Sequence, residues 1–171
     1  NFAGLADIED CKKKPIDTIQ QNILGNANII EQSIKQKVKR YIFASSMYVY
    51  SKEGSFYRCS KRSSEMYLEE YSKLHKIKYT ILRYGSLYGP RSNNTNGLYR
   101  IISNAIKKKK LFYEGNLDSI REYIHVKDAA DLSLQILDRK YENKKIILTG
   151  SQNIRMSDLM LMIGEILNLK S

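Results

Sequence analysis

The stretch YIFASSMYVYSKEGSFYRCSKRSSE, residues 41–65, sets a strand, a pair of serines and the start of a helix in direct succession. Tyr41, Ile42, Phe43 and Ala44 form a continuous apolar run between polar flanks, the pattern of a short strand buried on both faces. Ser45 and Ser46 end the run. The spacing from about Ser55 to His75 predicts a long helix whose first turns carry Tyr57 and Lys61. A separation of four places those two side chains on one helical face.

The flanking sequence repeats this alternation. Ile16, Ile19, Ile23, Ala27, Ile30 and Ile34 recur at steps of three and four, which predicts an amphipathic helix over 16–37, with Pro15 where a helix begins. IKYTILRY, residues 77–84, is a second β-rich run, and GSLYGPR, residues 85–91, reads as a loop by its Gly and Pro content. Helices are expected over 98–109, 128–139 and 157–169, and strands over 123–126 and 146–150. Ser157 is expected to cap the last helix, with Leu159, Met162, Ile163 and Ile166 on one side. Helices alternating with short buried strands predict an α/β fold with a mainly parallel sheet.

Composition narrows the function classes. A chain of 171 residues fits one core, and 42% hydrophobic with 27% charged residues is ordinary globular composition. No apolar run approaches the roughly 18 residues of a membrane span, so no membrane partner is expected. Cys11 and Cys59 are too few for a disulfide framework and lack metal-ligand spacing, so no metal is expected and the cytoplasm is the expected compartment. The net charge of +11 comes from lysines spread over nearly every segment without interleaved aromatics, so no nucleic-acid partner is expected. The densest run, Lys107 to Lys110, reads as the solvated end of a helix.

Tyr-x-x-x-Lys occurs four times: at Tyr48 and Lys52, Tyr57 and Lys61, Tyr123 and Lys127, and Tyr141 and Lys145. The Tyr57 pair alone opens a long predicted helix preceded by serines at a strand exit, where α/β sheets place ligands. A phenol titrating near pH ~10 is a poor base, and an adjacent ammonium favours the phenolate. Such a tyrosine can move a proton while a serine hydroxyl holds a substrate oxygen. Loss of that proton coupled to departure of a hydride requires an acceptor, and no side chain serves, so a nicotinamide is implied. The alternative is an exposed pair on a basic helix, which the spacing alone does not separate from the chemical reading.

With these residues placed, the chain resembles the extended short-chain dehydrogenase/reductase family, the group of NAD-dependent epimerases and dehydratases. Asn1-Phe2-Ala3-Gly4 resembles the family's His/Asn-x-Ala-Ala/Gly, and Asn22-Ile23-Leu24-Gly25 its Asn-x-x-Gly helix. Ser45-Ser46-Met47-Tyr48-Val49-Tyr50 resembles Ser-Ser-x-x-Val-Tyr, and Tyr57 and Lys61 match the active-site pair. Leu82-Arg83-Tyr84, Tyr88-Gly89-Pro90-Arg91 and Arg121-Glu122-Tyr123-Ile124-His125-Val126-Lys127-Asp128 follow in family order.

The resemblance implies a partial, Rossmann-like doubly wound parallel sheet with a small C-terminal substrate-binding portion. Residues 1–90 would be the second half of the dinucleotide-binding domain and 91–171 mostly the substrate portion, with strand 146–149 returning to the sheet. It assigns Ser46 to hold the reacting hydroxyl, Tyr57 as acid/base, Lys61 to lower the Tyr57 pKa and bind the nicotinamide ribose, and Asn22 to hold a water behind Lys61. Ala3 and Tyr84 join Tyr57 and Lys61 in contact with NAD or NADP. Tyr48, Ser86, Arg91 and Arg121 join Ser46 in contact with a nucleotide-sugar-like substrate, while His125 and Asp128 form a corner with Asp128 as cap. A homodimer through the helices over 16–37 and 55–75 is expected by resemblance.

Departures refine these expectations. Met47 and Tyr48 occupy the places of the acidic pair of the family's sugar 4,6-dehydratases, which favours an epimerase or reductase. Ser86 replaces an expected asparagine, and the insert between Tyr50 and Tyr57 is short, which leaves open a reductase of a non-sugar alcohol or ketone. No Gly-x-x-Gly-x-x-Gly occurs in the chain. The sequence is therefore expected to be a fragment lacking about 60 to 80 N-terminal residues by the family's layout. Alone, it is expected to bind NAD weakly and to be inactive. A truncated or regulatory protein without catalysis is the remaining alternative.

Overall fold

The computed structural model describes residues 1–169, and its contacts divide the chain into two units. The first comprises Asn1–Tyr84 with Leu132–Leu148, and the second comprises Gly85–Asp131 with residues 149–169.

The first unit is built on three parallel strands. Strands β1 (Arg40–Ser46), β2 (Lys78–Tyr84) and β5 (Lys144–Leu148) lie in the order β1-β2-β5. The register pairs Ser46 with Tyr84 and Tyr84 with Leu148, so the three carboxyl ends coincide. Asn1 lies along the edge of β1 not taken by β2, donating its amine to the Ile42 carbonyl at 2.7 Å and accepting from Ala44 N at 3.1 Å. Helix α4 (Ser55–His75) connects β1 to β2. Ile30, Tyr41, Phe43, Leu68, Ile77 and Ile81 form the core, and the apolar middle of β1 is buried as its sequence predicts.

Residues 15–35 depart from the single helix expected over 16–37. They form α2 (Pro15–Thr18), a π-helical segment (Ile19–Leu24) and α3 (Gly25–Lys35), preceded by a short α1 (Ile8–Lys13). The buried positions are Thr18, Asn22, Asn26 and Ile30, a stripe at steps of four in which three members are polar. Ile16 and Ile19 are 63% and 49% exposed. Apolar periodicity located the helix but not its buried face, because polar members of that face are held by hydrogen bonds to other segments: Asn26 Oδ1 accepts from the Tyr41 hydroxyl at 2.8 Å, while Asn26 Nδ2 is buried without a partner among the described residues. Helix α1 has only six residues, too few to show periodicity, and is fixed by Asp7, whose carboxylate accepts from Asp10 N.

In the second unit, β3 (Ser86–Tyr88) pairs in parallel with β4 (Ile120–His125), and β4 pairs antiparallel with β6 (Asn153–Arg155). The segment 85–91, read as loop, thus contains a three-residue strand. Helices α5 (Gly97–Lys108) and α7 (Met156–Ile166) contribute to this unit's apolar cluster, centred on Met156, Leu159, Met160 and Ile163. Met162 and Ile166 are exposed, so the buried face of α7 is rotated from the one expected. Arg155 occupies the cap position of α7, and Ser157 lies inside the helix. Helix α6 (Val126–Gln135) begins before Asp128; His125 Nδ1 accepts from Lys127 N at 3.3 Å at its start, and Asp128 sits in the first turn, where a carboxylate suits the helix dipole. Lys107 to Lys110 are exposed at the end of α5, as expected of a solvated helix terminus.

No helix among the described residues is long and apolar enough to cross a membrane, and no cluster among them suits a metal ion. Cys11 is buried and Cys59 exposed, both as free thiols.

Candidate active site

The carboxyl end of β1 gathers the residues singled out in the sequence. Ser46 is the last residue of β1 and caps a 3-10 turn, Met47–Tyr50, by accepting from Tyr48 N at 3.3 Å. The chain then enters α4 through Gly54 and Ser55, both at positive φ. A Cβ at Gly54 would lie 2.7 Å from Tyr48 Cδ1, so this short turn requires glycine both for its backbone and for the Tyr48 ring. Tyr48 in turn packs edge-on against Tyr57, with ring centroids 6.2 Å apart.

Tyr57 and Lys61 lie one turn apart on the inward face of α4. Lys61 is 7% exposed and donates to the Ala44 carbonyl at 2.9 Å. Its Nζ lies 5.0 Å from the Phe43 ring centroid and 5.8 Å from that of Tyr57. Among the described residues, Ala44 takes one of the three ammonium donors, and two remain for a ligand rich in hydroxyls. An exposed pair on a basic helix is therefore not what the chain forms.

Electrostatics differ from the sequence-based expectation. Burial pulls the Lys61 ammonium down to about 8. Burial also pushes the Tyr57 phenol up, and the neighbouring Ser46 hydroxyl works against that rise. Lys61 was expected to lower the Tyr57 pKa; in the structure desolvation dominates, and both groups shift away from their charged forms.

Asn22 is buried and hydrogen-bonded through both ends of its side-chain amide. Its Oδ1 accepts from Leu5 N at 2.7 Å, and its Nδ2 donates to the Leu5 carbonyl and to Ser60 Oγ, each at 2.9 Å. These bonds join the π-helical segment to Leu5 and α4; both Nδ2 donors are used, and Oδ1 keeps a second acceptor site. Ala3 is exposed at the end of the N-terminal segment, its N–H bonded to Asn1 Oδ1. Tyr84 ends β2, with its hydroxyl 2.7 Å from Ser133 Oγ and its ring 6.1 Å from that of Phe2.

Ser86, Arg91 and Arg121 belong to the second unit. Ser86 pairs with Tyr123 between β3 and β4, Arg121 pairs with Ile154 between β4 and β6, and Arg91 adopts φ +67° on an exposed turn.

Sequence reasoning missed a buried charged group. Glu65, one turn beyond Lys61, accepts from Ser45 Oγ at 2.5 Å and from Arg83 through Nε at 3.0 Å and Nη2 at 2.5 Å. The available signal was its position four residues after Lys61 on the same helical face.

The first unit is thus an α/β domain that presents a serine, a phenol and an ammonium together at its strand ends. The chain matches the family model described as NAD dependent epimerase/dehydratase family over residues 1–150. It belongs to that family. It is 32% identical to a UDP-glucose 4-epimerase of Yersinia enterocolitica over 80% of this chain and 50% of that protein. A putative UDP-glucose 4-epimerase of Methanocaldococcus jannaschii is 27% identical over 82% of this chain and 52% of that protein. Among solved structures, the UDP-glucose 4-epimerase of Thermotoga maritima with UDP-glucose superposes with a TM-score of 0.88 at 25% identity, over 99% of this chain and 60% of that one. The dTDP-glucose 4,6-dehydratase DesIV of Streptomyces venezuelae shares the fold with a TM-score of 0.89 at 17% identity, over 99% of this chain and 56% of that one. The chain spans about half the length of the curated relatives it matches.

Proposed function

We propose that the whole protein is an NAD(P)-dependent epimerase of nucleotide sugars. The observation that carries this reading is the convergence of Ser46, Tyr57 and a buried Lys61 at the carboxyl edge of a parallel sheet. The donor set fits a dinucleotide: two unused ammonium donors on Lys61 suit the hydroxyls of a ribose, Tyr84 ends the strand next to β1, and Ala3 follows the Asn1 that is bonded to β1. NAD or NADP, when bound, supplies the acceptor and donor of hydride.

The residues of this chain supply the proton chemistry. Ser46 holds the sugar hydroxyl, Tyr57 takes its proton and later returns it, and Lys61 stabilises the phenolate while that proton is away. Tyr57 ionises with difficulty in the free protein because burial opposes it, so binding that brings further positive charge or donors to the phenol favours the reaction. By resemblance to the family, Tyr48, Ser86, Arg91 and Arg121 are further candidates for contact with the nucleotide sugar.

Met47 and Tyr48 stand where a 4,6-dehydratase would carry its acidic pair, and neither offers a carboxyl group for elimination of water. This favours epimerisation, although relatives include a dTDP-D-glucose 4,6-dehydratase of Dictyostelium discoideum at 24% identity. The short turn between Tyr50 and Tyr57 supports a second reading, reduction of a non-sugar ketone. Exposed Ile16, Ile19, Leu24, Met66, Tyr67 and Leu74 on α2 to α4 support a homodimer, and free thiols accord with the cytoplasm. Incubation of the full-length protein with NAD and a panel of UDP- and dTDP-sugars, followed by proton NMR, tests the assignment. Inversion at one sugar carbon is expected; formation of a 4-keto-6-deoxy sugar, or no change in any sugar, would overturn it.

A further inference from the structure

Ser45 precedes Ser46 by one residue, and its hydroxyl is committed to the protein interior. It donates to Glu65, a carboxylate only 3% exposed, which Arg83 holds through two nitrogens. The third guanidinium nitrogen, Nη1, donates to the Tyr50 hydroxyl, and the guanidinium carbon lies 4.6 Å from the centre of the Tyr50 ring. The network therefore grips the Met47–Tyr50 turn at both ends: at Ser45, just before the capping residue Ser46, and at Tyr50, its last residue.

Stability alone is a poor explanation for this arrangement. Burying an ion pair costs desolvation that apolar residues of similar volume avoid, so such pairs are often neutral or worse for folding. The turn's own fastening at Ser46 is weak, a hydrogen bond of 3.3 Å from Tyr48 N, longer than the usual N–H···O distance. An external brace has a purpose where a hydroxyl must meet a phenol within a fraction of an ångström.

The geometry points to Ser45, Glu65 and Arg83 as positioning residues that hold the Ser46 hydroxyl against Tyr57. This rests on the reading of Ser46 and Tyr57 given above. None of the three needs to touch substrate; they act through the strand end and the turn that carry Ser46.

The test uses full-length protein labelled with carbon-13 at the tyrosine ζ position, with the Tyr57 resonance assigned by its loss in Tyr57→Phe. Ser46→Ala sets the displacement expected when the hydroxyl is absent. Ser45→Ala, which leaves the Glu65–Arg83 pair intact, and Glu65→Gln are expected to displace the Tyr57 resonance in the same direction, and Ser45→Thr to restore it. The kcat for the sugar nucleotide found active is expected to fall about tenfold in Ser45→Ala with KM within about threefold. A merely structural role would lower Tm while leaving the resonance and the kcat of the folded fraction at wild-type values, and that result overturns the proposal. A Tyr57 resonance indifferent to Ser46→Ala overturns it as well. If wild type turns over no sugar nucleotide, the functional reading fails while the resonance still decides the positioning role.

Discussion

The Lys61 ammonium donates to the Ala44 carbonyl at 2.9 Å, tying α4 to β1 two residues before Ser46. Together with the bond from Ser45 to Glu65, it fastens the strand end that carries the hydroxyl to the helix that carries the phenol. The same burial that makes the bond stiff makes the charge costly.

That cost has a pH signature. Lys61 in the folded protein titrates at about 8, below the ordinary lysine value of 10.5. Between those values the unfolded chain holds the extra proton, so the folded state gains stability as pH rises through the window, and the full penalty is present below it. Wild type should therefore gain roughly 1–3 kcal/mol relative to Lys61→Met between pH 7.5 and 10. Urea unfolding of both proteins at the two pH values measures the difference; a constant gap would show that Lys61 is not desolvated.

Gly4 and Asn22 form a second coupled pair. Gly4 has φ +141°, and a Cβ there would lie 2.5 Å from Asn22 Oδ1, the atom that accepts from Leu5 N. Gly4→Ala and Asn22→Ala should each destabilise by about 1–3 kcal/mol. Because both disturb the same hydrogen bonds, the double variant should lose less than the sum by at least about 0.5 kcal/mol. Thermal or urea melts of the four proteins complete the cycle, and strict additivity would contradict the coupling.

Ser46→Ala removes the only atom assigned to hold the reacting oxygen. A kcat lower by roughly 10²-fold is expected, with KM for the sugar nucleotide within about threefold, since the loss concerns the transition state more than binding. Steady-state kinetics on full-length protein decide it; a rise in KM with unchanged kcat would move Ser46 from chemistry to binding.

Much of this site was legible in the sequence because strand, serine pair and helix are contiguous between residues 41 and 65, and local periodicity fixes their order. The long helix α4 and the two main strands β1 and β2 needed nothing more. What escaped was set by tertiary partners. The buried face of residues 15–35 is polar, so apolar spacing misplaced it. Strands β3 and β6 have three residues each and exist only by pairing with β4. The burial of Glu65 depends on Ser45 and Arg83, 20 and 18 residues away in the sequence. The balance of ionisation at Tyr57 and Lys61 depends on burial, which spacing does not report.

Turnover by full-length Tyr57→Phe decides whether the Tyr57 phenol moves the substrate proton. Beside wild type, with the sugar nucleotide that wild type inverts, the variant should lose about 10³-fold or more in kcat while its NAD affinity by calorimetry stays within about threefold. Turnover by Tyr57→Phe at the wild-type rate would remove Tyr57 from the proton transfer.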